Sequence, residues 1–436
     1  MNMMQEITSW GNYFNTKSDV EPLYWQSDRV LFQEGQSYLP IGLARSYGDC
    51  CLNDKGNLIS TRGLNRFLSF DDKTGVICCQ SGVSLAEILD FLVPRGWFLP
   101  VSPGTKFVSV GGAIANDVHG KNHHSAGTFG ENILEFELLR SNGDRLVCSK
   151  EKNSEYFRST IAGLGLTGLI LWAKIQLKPI SSAYMQCKNI FFHSLEEFLE
   201  VSKHYSDKFE YTVAWMDCAS KNSLFGRGIF MCANHSPENI SKTYNKKFIN
   251  MPVSLPSGLL NNFVVSSFNK LYFTLKENSK SDFLAHYDPY FYPLDAVGSW
   301  NKVYGKKGFF QFQCVVPFDD NFKTFFAVFE KLKKSDCSSY LTVVKEFSER
   351  KSAGLMSFPR KGVTICFDIP NKGASTLSFI RSLNDFVCQN GGALYPAKDA
   401  SMSANNFIKS FVNIDEFSKF IDPKFSSSLW RRVNSN

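Results

Sequence analysis

The densest set of chemistry-bearing residues lies within 103–130, which reads PGTKFVSVGGAIANDVHGKNHHSAGTFG. His119, Lys121, His123 and His124 fall within six residues of one another, beside Asn116 and Asp117. Such a cluster could ligate a metal. However, His123 and His124 are adjacent and point apart, and no HExxH spacing is present, so no metal is expected. The same residues could ring a polar substrate or a flavin with hydrogen-bond donors, or satisfy the backbone of their own loop. Two further glycine-rich stretches are Gly42-Leu43-Ala44-Arg45-Ser46-Tyr47-Gly48-Asp49 and Gly163-Leu164-Gly165-Leu166-Thr167-Gly168. Glycines let backbone amides approach a ligand closely, and successive free N–H groups form a nest for an anion such as a pyrophosphate. None of the three loops ends in the GKS/T of a Walker A motif. The last matches the letters of GxGxxG, but residues 169–175 after it read as a strand, so the dinucleotide fingerprint fails its context.

Elements must hold these loops in place. Strand signals occur at 76–79, 166–177, 211–216, 309–316 and 363–369. Gln311 and Gln313 are two apart on one of them, so both amides share a face, toward a sugar or toward solvent. Helical spacing appears at 85–92, where Ser84 is a natural N-cap, at 195–205 and at 321–333. Residues 1–180 alternate short strands and helices and are rich in glycine, which predicts an α/β or α+β domain. Residues 181 to about 390 are poorer in glycine and dominated by aromatic and lysine residues. Between 250 and 300, Pro252, Pro256, Gly258, Pro289 and Pro293 predict a long mobile connection. Its apolar runs, Leu259-Leu260, Phe263-Val264-Val265 and Leu271-Tyr272-Phe273, suit a core helix or a hydrophobic lid facing a membrane.

Composition narrows the class. With 436 residues the chain has room for two or three domains. Hydrophobic residues at 43% and charged residues at 20% exclude disorder and a membrane bundle. The net charge of +7 is spread without a dense Lys/Arg block, which argues against nucleic acid and leaves anionic small molecules or a membrane surface. Twelve cysteines without a CxxC, two pairs of them adjacent, predict free thiols in a reducing compartment. The N-terminal MNMMQEITSW has neither a basic region nor an apolar core, so a secretory signal is not expected.

RSYGD at 45–49, the PGT and GGAIANDVHGKNHHSAGTFG strings and GLGLTG together resemble the flavoprotein oxidases of the vanillyl-alcohol oxidase (PCMH-type FAD-binding) family. Within it, the likeness is to the branch that oxidises polyprenyl-phosphoryl pentoses. It continues through YTVAW (211–215), PLDAVGSWNKVYG (293–305), GFFQFQCVVP (308–317), VVKEF (343–347), SFPRKGVTICFDIP (357–370) and GGALYPAKDAS (391–401). The resemblance implies a two-domain α+β fold. Residues 1–180 would form the first part of an FAD domain, 181–392 an antiparallel-sheet substrate domain, and 393–436 a return that completes the FAD domain.

It also implies an activity: oxidation of the 2-hydroxyl of a polyprenyl-phosphoryl ribose to a 2-keto sugar. That is the first half of a C2 epimerisation in making a cell-wall polysaccharide precursor, with an NAD(P)H-dependent keto-reductase as partner. A soluble sugar, alditol or aldonolactone oxidase and a non-catalytic FAD scaffold are the alternatives. Where many relatives attach FAD to a histidine, Arg45 stands here, so FAD is expected to be non-covalent. Matching motifs imply Lys398, His119 and Tyr47 as catalytic. Lys121, Trp215, Gln311, Gln313, Lys345, Phe347 and Cys366 are implied on the substrate side. FAD would be held by Gly42, Leu43, Ala44, Arg45, Ser46, Tyr47, Gly48, Asp49, Gly104, Ser109, Val110, Gly111, Gly112, Asn116, Asp117, Val118, His119, Ile170 and Tyr395. The implied location is cytoplasmic, with peripheral contact at the inner face of the plasma membrane.

Overall fold

The computed structural model describes residues 3–240, 242–245, 248–256 and 260–434. Gly258 and Leu259, part of the expected connection, lie outside the described residues. The fold is α+β, with three main sheets. A four-stranded sheet near the N-terminus joins Met3–Thr8, Asn15–Pro22, Asn57–Ser60 and Tyr38–Ile41. A five-stranded antiparallel sheet runs Phe67–Asp71, Val76–Gln80, Leu169–Gln176, Ile133–Leu139 and Arg145–Ser149. An eight-stranded antiparallel sheet runs Asp282–His286, Tyr184–Phe192, Gly228–His235, Tyr211–Met216, Leu341–Phe347, Gly362–Pro370, Phe309–Val316 and Ala393–Leu394.

Local sequence explains the elements that carry the site. Helix Leu85–Leu92 starts at a capping box, with Ser84 accepting from Glu87 N–H while the Glu87 carboxylate accepts from Ser84 N–H. Its Leu85, Ile88, Leu89 and Leu92 are fully buried against the five-stranded sheet, each side chain contributing about 1.5–3 kcal/mol. The eight-stranded sheet buries one face under helices Leu195–Tyr205, Lys323–Lys334 and Ala374–Gln389. Phe310, Phe312, Ile365 and Phe367 pack there against Phe325, Phe329, Ile380 and Leu383. Alternation then sends residues 311, 313, 364, 366 and 368 to the opposite face.

The expected mobile connection is instead largely ordered secondary structure. Helix Asn262–Glu277 begins with Asn261 accepting from Val264 N–H, and strand Asp282–His286 and helix Tyr287–Phe291 follow. Helix Asn262–Glu277 contains none of the prolines, and Pro289 sits in the first turn of Tyr287–Phe291, where a missing N–H breaks no helical bond. Nor is this a core helix. Val265, Asn269 and Phe273 are buried, but Phe263 is 80% exposed, Phe268 64%, Leu271 58% and Leu275 63%. Its polar anchor is Asn269, which donates to Asp217, itself paired with Arg227.

Residues 393–434 begin on the eight-stranded sheet and finish against the N-terminal one. Tyr38 N–H donates to Lys424 carbonyl, Ser428 N–H to Leu52 carbonyl, and Arg432 pairs with Asp49. All twelve cysteines are free thiols. Among the described residues no helix is long and apolar enough to cross a membrane.

Candidate active site

The open face of the eight-stranded sheet floors a cavity of about 760 Å³, a size suited to a large ligand. Register sets its lining. Gln311 lies opposite Asp368 and Gln313 opposite Cys366, while Cys366 also faces Val343 and Thr364 faces Lys345. Trp215 then pairs with Val343 on one side and Ile229 on the other, and Val213 with Met231. The floor therefore grades from amides and a carboxylate at one end to Trp215, Ile229 and Met231 at the other. Phe273 and Tyr272 of helix Asn262–Glu277 cover the apolar end.

The opposite wall comes from the glycine-rich loops. Two glycines have a steric reason. A Cβ on Gly42 would sit 2.2 Å from the Ser109 side-chain hydroxyl, and one on Gly48 would overlap the Asp399 carbonyl, where only glycine lets the two backbones meet. Ser109 caps the short helix Val110–Ala115 by accepting from Gly112 N–H. The third loop turns through left-handed backbone at Leu164 and Gly165 before entering strand Leu169–Gln176, and it too lines the cavity. Arg45 lays its guanidinium over the Trp10 ring, 3.9 Å from the centroid. Lys106 forms a buried ion pair with Asp288, and Thr105 donates to Asp295, which ties the PGT loop to the 287–296 segment.

The polar end is electrostatically crowded. Lys398 donates to Cys366 Sγ at 3.6 Å and lies beside the Tyr47 ring. Burial pushes the Cys366 thiol up to about 11 and the Asp368 carboxyl up to about 7; Lys398 opposes both shifts. Burial raises the Tyr47 phenol well above its usual range, and the nearby Asp368 and Cys366 add to this. Lys345 donates to the Gly120 carbonyl and Lys121 to that of Phe291. Burial lowers both amines, Lys345 to about 7 with Lys121 and Lys398 adding repulsion, Lys121 to about 8. His119 is neutral, held far below its ordinary value by burial and then by Lys345 and Lys398. Gln313 donates to its Nε2 at 3.0 Å, which places the proton on Nδ1, where it has no partner among the described residues.

Most of the expected site residues converge here. Lys398, His119, Tyr47, Lys121, Trp215, Gln311, Gln313, Lys345 and Cys366 line the cavity. So do Gly42, Leu43, Ala44, Arg45, Ser46, Gly104, Ser109, Gly111, Gly112, Asn116, Val118, Ile170 and Tyr395. Five do not reach its wall. Phe347 packs on the His119 and His123 rings from behind. Gly48 is spent on its contact with Asp399, Asp49 pairs with Arg432, and Val110 points into the core of the five-stranded sheet. Asp117 accepts from Gly130 N–H and the Ser357 hydroxyl, bracing the loop from beneath. The histidine cluster is dispersed, since His123 is buried on Phe347 and His124 bonds the Phe209 carbonyl. Among the described residues no group of three His, Cys, Asp or Glu is placed to hold a metal. Asp368 and Asp295 also line the cavity; both lie within the matching strings 357–370 and 293–305 but were not singled out there.

The cavity fits a flavin dinucleotide on its own chemistry. Three loops present close-packed backbone, and buried polar atoms of Ser81, Asn116, His119, Gln311 and Gln313 have no protein partner among the described residues. The comparisons agree. The family described as "FAD binding domain" matches residues 29–149. Decaprenylphosphoryl-beta-D-ribose oxidase of Mycolicibacterium smegmatis is 34% identical over 98% of this chain and 97% of its own length. The chain belongs to the decaprenylphosphoryl-β-D-ribose oxidase family. It is thus an FAD-binding oxidoreductase. More distant members of the wider FAD-binding group match only part of the chain. A putative D-arabinono-1,4-lactone oxidase of Neurospora crassa is 32% identical over 29% of this chain and 22% of its own. Delta(24)-sterol reductase of Rattus norvegicus is 27% identical over 33% and 28%.

Proposed function

We propose that the protein binds FAD non-covalently and oxidises the 2-hydroxyl of a polyprenyl-phosphoryl ribose to the 2-keto sugar. The observation that carries this reading is the graded cavity floor: amides, lysines and a carboxylate at one end, an apolar trough under helix Asn262–Glu277 at the other. An amphiphile with a sugar-phosphate head and an isoprenoid tail matches that gradient. A soluble sugar would leave the apolar end without a role. In this reading residues 1–180 with 393–436 form the FAD domain and 181–392 the substrate domain.

FAD, when bound, supplies the hydride acceptor. The loops at 42–47, 104–118 and 164–170 would hold it, and Arg45, stacked on Trp10, leaves no histidine there for attachment. Lys398 sets its amine at the polar end, beside Cys366 and Tyr47. The His119 Nδ1–H is free to donate to the sugar, oriented by the bond Gln313 makes to Nε2. Lys121, lowered only to about 8, would meet a phosphate largely charged, while Lys345, lowered to about 7, would take up a proton as the anion arrives. Gln311 and Gln313 would read sugar hydroxyls. The exposed apolar side of helix Asn262–Glu277, with Lys270 and Lys280 exposed along it, suits contact with an anionic membrane leaflet from the cytoplasm. The keto product needs a nicotinamide-dependent reductase to complete epimerisation.

The test is anaerobic mixing of the FAD-loaded protein with prenylated phosphoryl ribose and, separately, with an unprenylated analogue. The flavin absorbance should bleach far faster with the prenylated compound. Equal rates would favour a soluble sugar oxidase, and no bleaching by any alcohol a scaffold. Acid precipitation should leave all flavin in the supernatant; flavin that stays on the polypeptide refutes non-covalent binding.

A further inference from the structure

We propose that Asp368 receives the hydroxyl proton when the sugar alcohol is oxidised, and that Lys398 is the fixed charge beside it and not the base. The inference rests on the function proposed above. Asp368 sits on strand Gly362–Pro370, two residues beyond Cys366 and on the same face, at the polar end of the cavity. Its backbone is fully engaged, with N–H donating to the Ser339 hydroxyl and the carbonyl accepting from Tyr340 N–H. Its side chain is held by one bond, from Gln311 Nε2 to Oδ1 at 2.5 Å. The other oxygen, Oδ2, is buried and has no partner among the described residues. A carboxylate oxygen in that state is stabilised only by a ligand donor or by a proton.

The surroundings decide which group takes the proton. Tyr47, Tyr304, Cys366 and Lys398 are the titratable groups that face Asp368. Both phenols are held protonated by burial. The Cys366 thiol, raised to about 11, is neutral and accepts from Lys398. Lys398 Nζ is already engaged with Cys366 Sγ, whereas Asp368 Oδ2 is buried without a partner among the described residues, and a carboxyl raised to about 7 is well matched to the task near neutral pH. In the step, the sugar O–H bond breaks and its proton goes to Asp368 Oδ2. The C–H bond breaks and its electron pair leaves with the hydrogen to FAD, the oxidant. The C–O bond becomes C=O.

The test compares FAD-loaded wild type, D368N and D368E in anaerobic flavin reduction by prenyl-phosphoryl ribose between about pH 5 and 9. The wild-type rate should rise with pH through about 7 as the carboxyl deprotonates. D368N should bind FAD normally, react at least about 100-fold more slowly and lose that rise, with D368E restoring part of the rate. Lys345 titrates in the same range, but its loss of charge should slow the reaction as pH rises, the opposite sense.

Carbon-13 NMR of aspartate carboxyls gives a readout independent of turnover. One resonance should titrate near pH 7 in wild type and be missing from D368N. D368N within about tenfold of wild type and with its pH rise intact overturns the proposal. If D368N fails to fold, the wild type decides alone: a flat rate across the range, or no aspartate titrating near pH 7 beside the Asp117 carboxyl that burial raises to about 6, overturns it. A wild type that no prenyl-phosphoryl pentose reduces refutes the proposed function, while the carboxyl titration still tests Asp368 separately.

Discussion

Replacing Arg432 with Met should loosen the active site from behind. Its guanidinium donates to both oxygens of Asp49 at 2.9 and 2.7 Å and to Asp399 Oδ2 at 2.8 Å, and it also bonds the Met402 carbonyl. Asp49 and Asp399 side chains are 4% and 5% exposed, that of Arg432 27%. Removing one partner of a buried charge group costs about 3–5 kcal/mol, and the partial exposure of Arg432 places this case near about 3 kcal/mol. At about 2.1 cal/mol/K of unfolding entropy per residue, 436 residues unfolding together convert that into about 3 °C. Circular dichroism melts of wild type and R432M would measure it.

The pH dependence has a defined sign. Burial holds the Asp49 carboxyl above its ordinary value, and Arg432 pulls it back. Without Arg432 it rises further. A carboxyl raised in the folded state is tolerated when protonated and costs stability as pH rises through its folded value. The R432M deficit should therefore be greatest at neutral pH and shrink toward about pH 4. A melting point within about 1 °C of wild type, or a deficit that grows on acidification, would refute the reasoning.

Three further outcomes are expected. Cys366→Ser should keep most turnover, and alkylation of the wild-type thiol should accelerate about tenfold per pH unit toward about 11; rapid, pH-independent labelling at neutral pH would contradict a buried neutral thiol. Lys345→Met should flatten the gain in stability that wild type shows as pH climbs above about 7, because the unfolded chain binds that proton more tightly than the folded one; parallel curves for the two proteins in chemical denaturation would disprove it. Asn269→Leu strips a hydrogen bond from the buried Asp217 and should cost about 1–3 kcal/mol, with faster hydrogen exchange across 262–277 and unchanged exchange in the five-stranded sheet. Uniform exchange changes would count against a local anchor.

Strands with strong alternation or continuous β-branched and aromatic runs were readable from sequence, as at Tyr211–Met216 and Phe309–Val316, both of which lie in the interior of the sheet. Helix Leu85–Leu92 announced itself through Ser84 and Glu87. Helix Asn262–Glu277 was legible only as one alternative, because flanking prolines imitated a linker and its apolar side, with Phe263, Phe268, Leu271 and Leu275, is left exposed instead of packed in a core. The loop side of the site was legible because its residues are contiguous in sequence. Asp368 was not, since its meaning comes from lying opposite Gln311 on a neighbouring strand. Arg432 was hidden for the same reason: Asp49 is 383 residues away, and no local pattern marks such a pairing. Asp49 and Asp117 carry the right motif letters yet face inward, because a loop needs buried groups to brace it as much as groups to present.

The meeting of Gly48 with Asp399, locked by Arg432, has a bearing on biosynthesis. Asp49 is made 383 residues before its partner Arg432. A nascent chain can form the five-stranded sheet long before it has a closed flavin pocket. That edge of the pocket therefore closes only once Arg432 has been made, and a product cut short before it would carry an open, poorly held edge. Such a chain should hold flavin less tightly than one that carries Arg432.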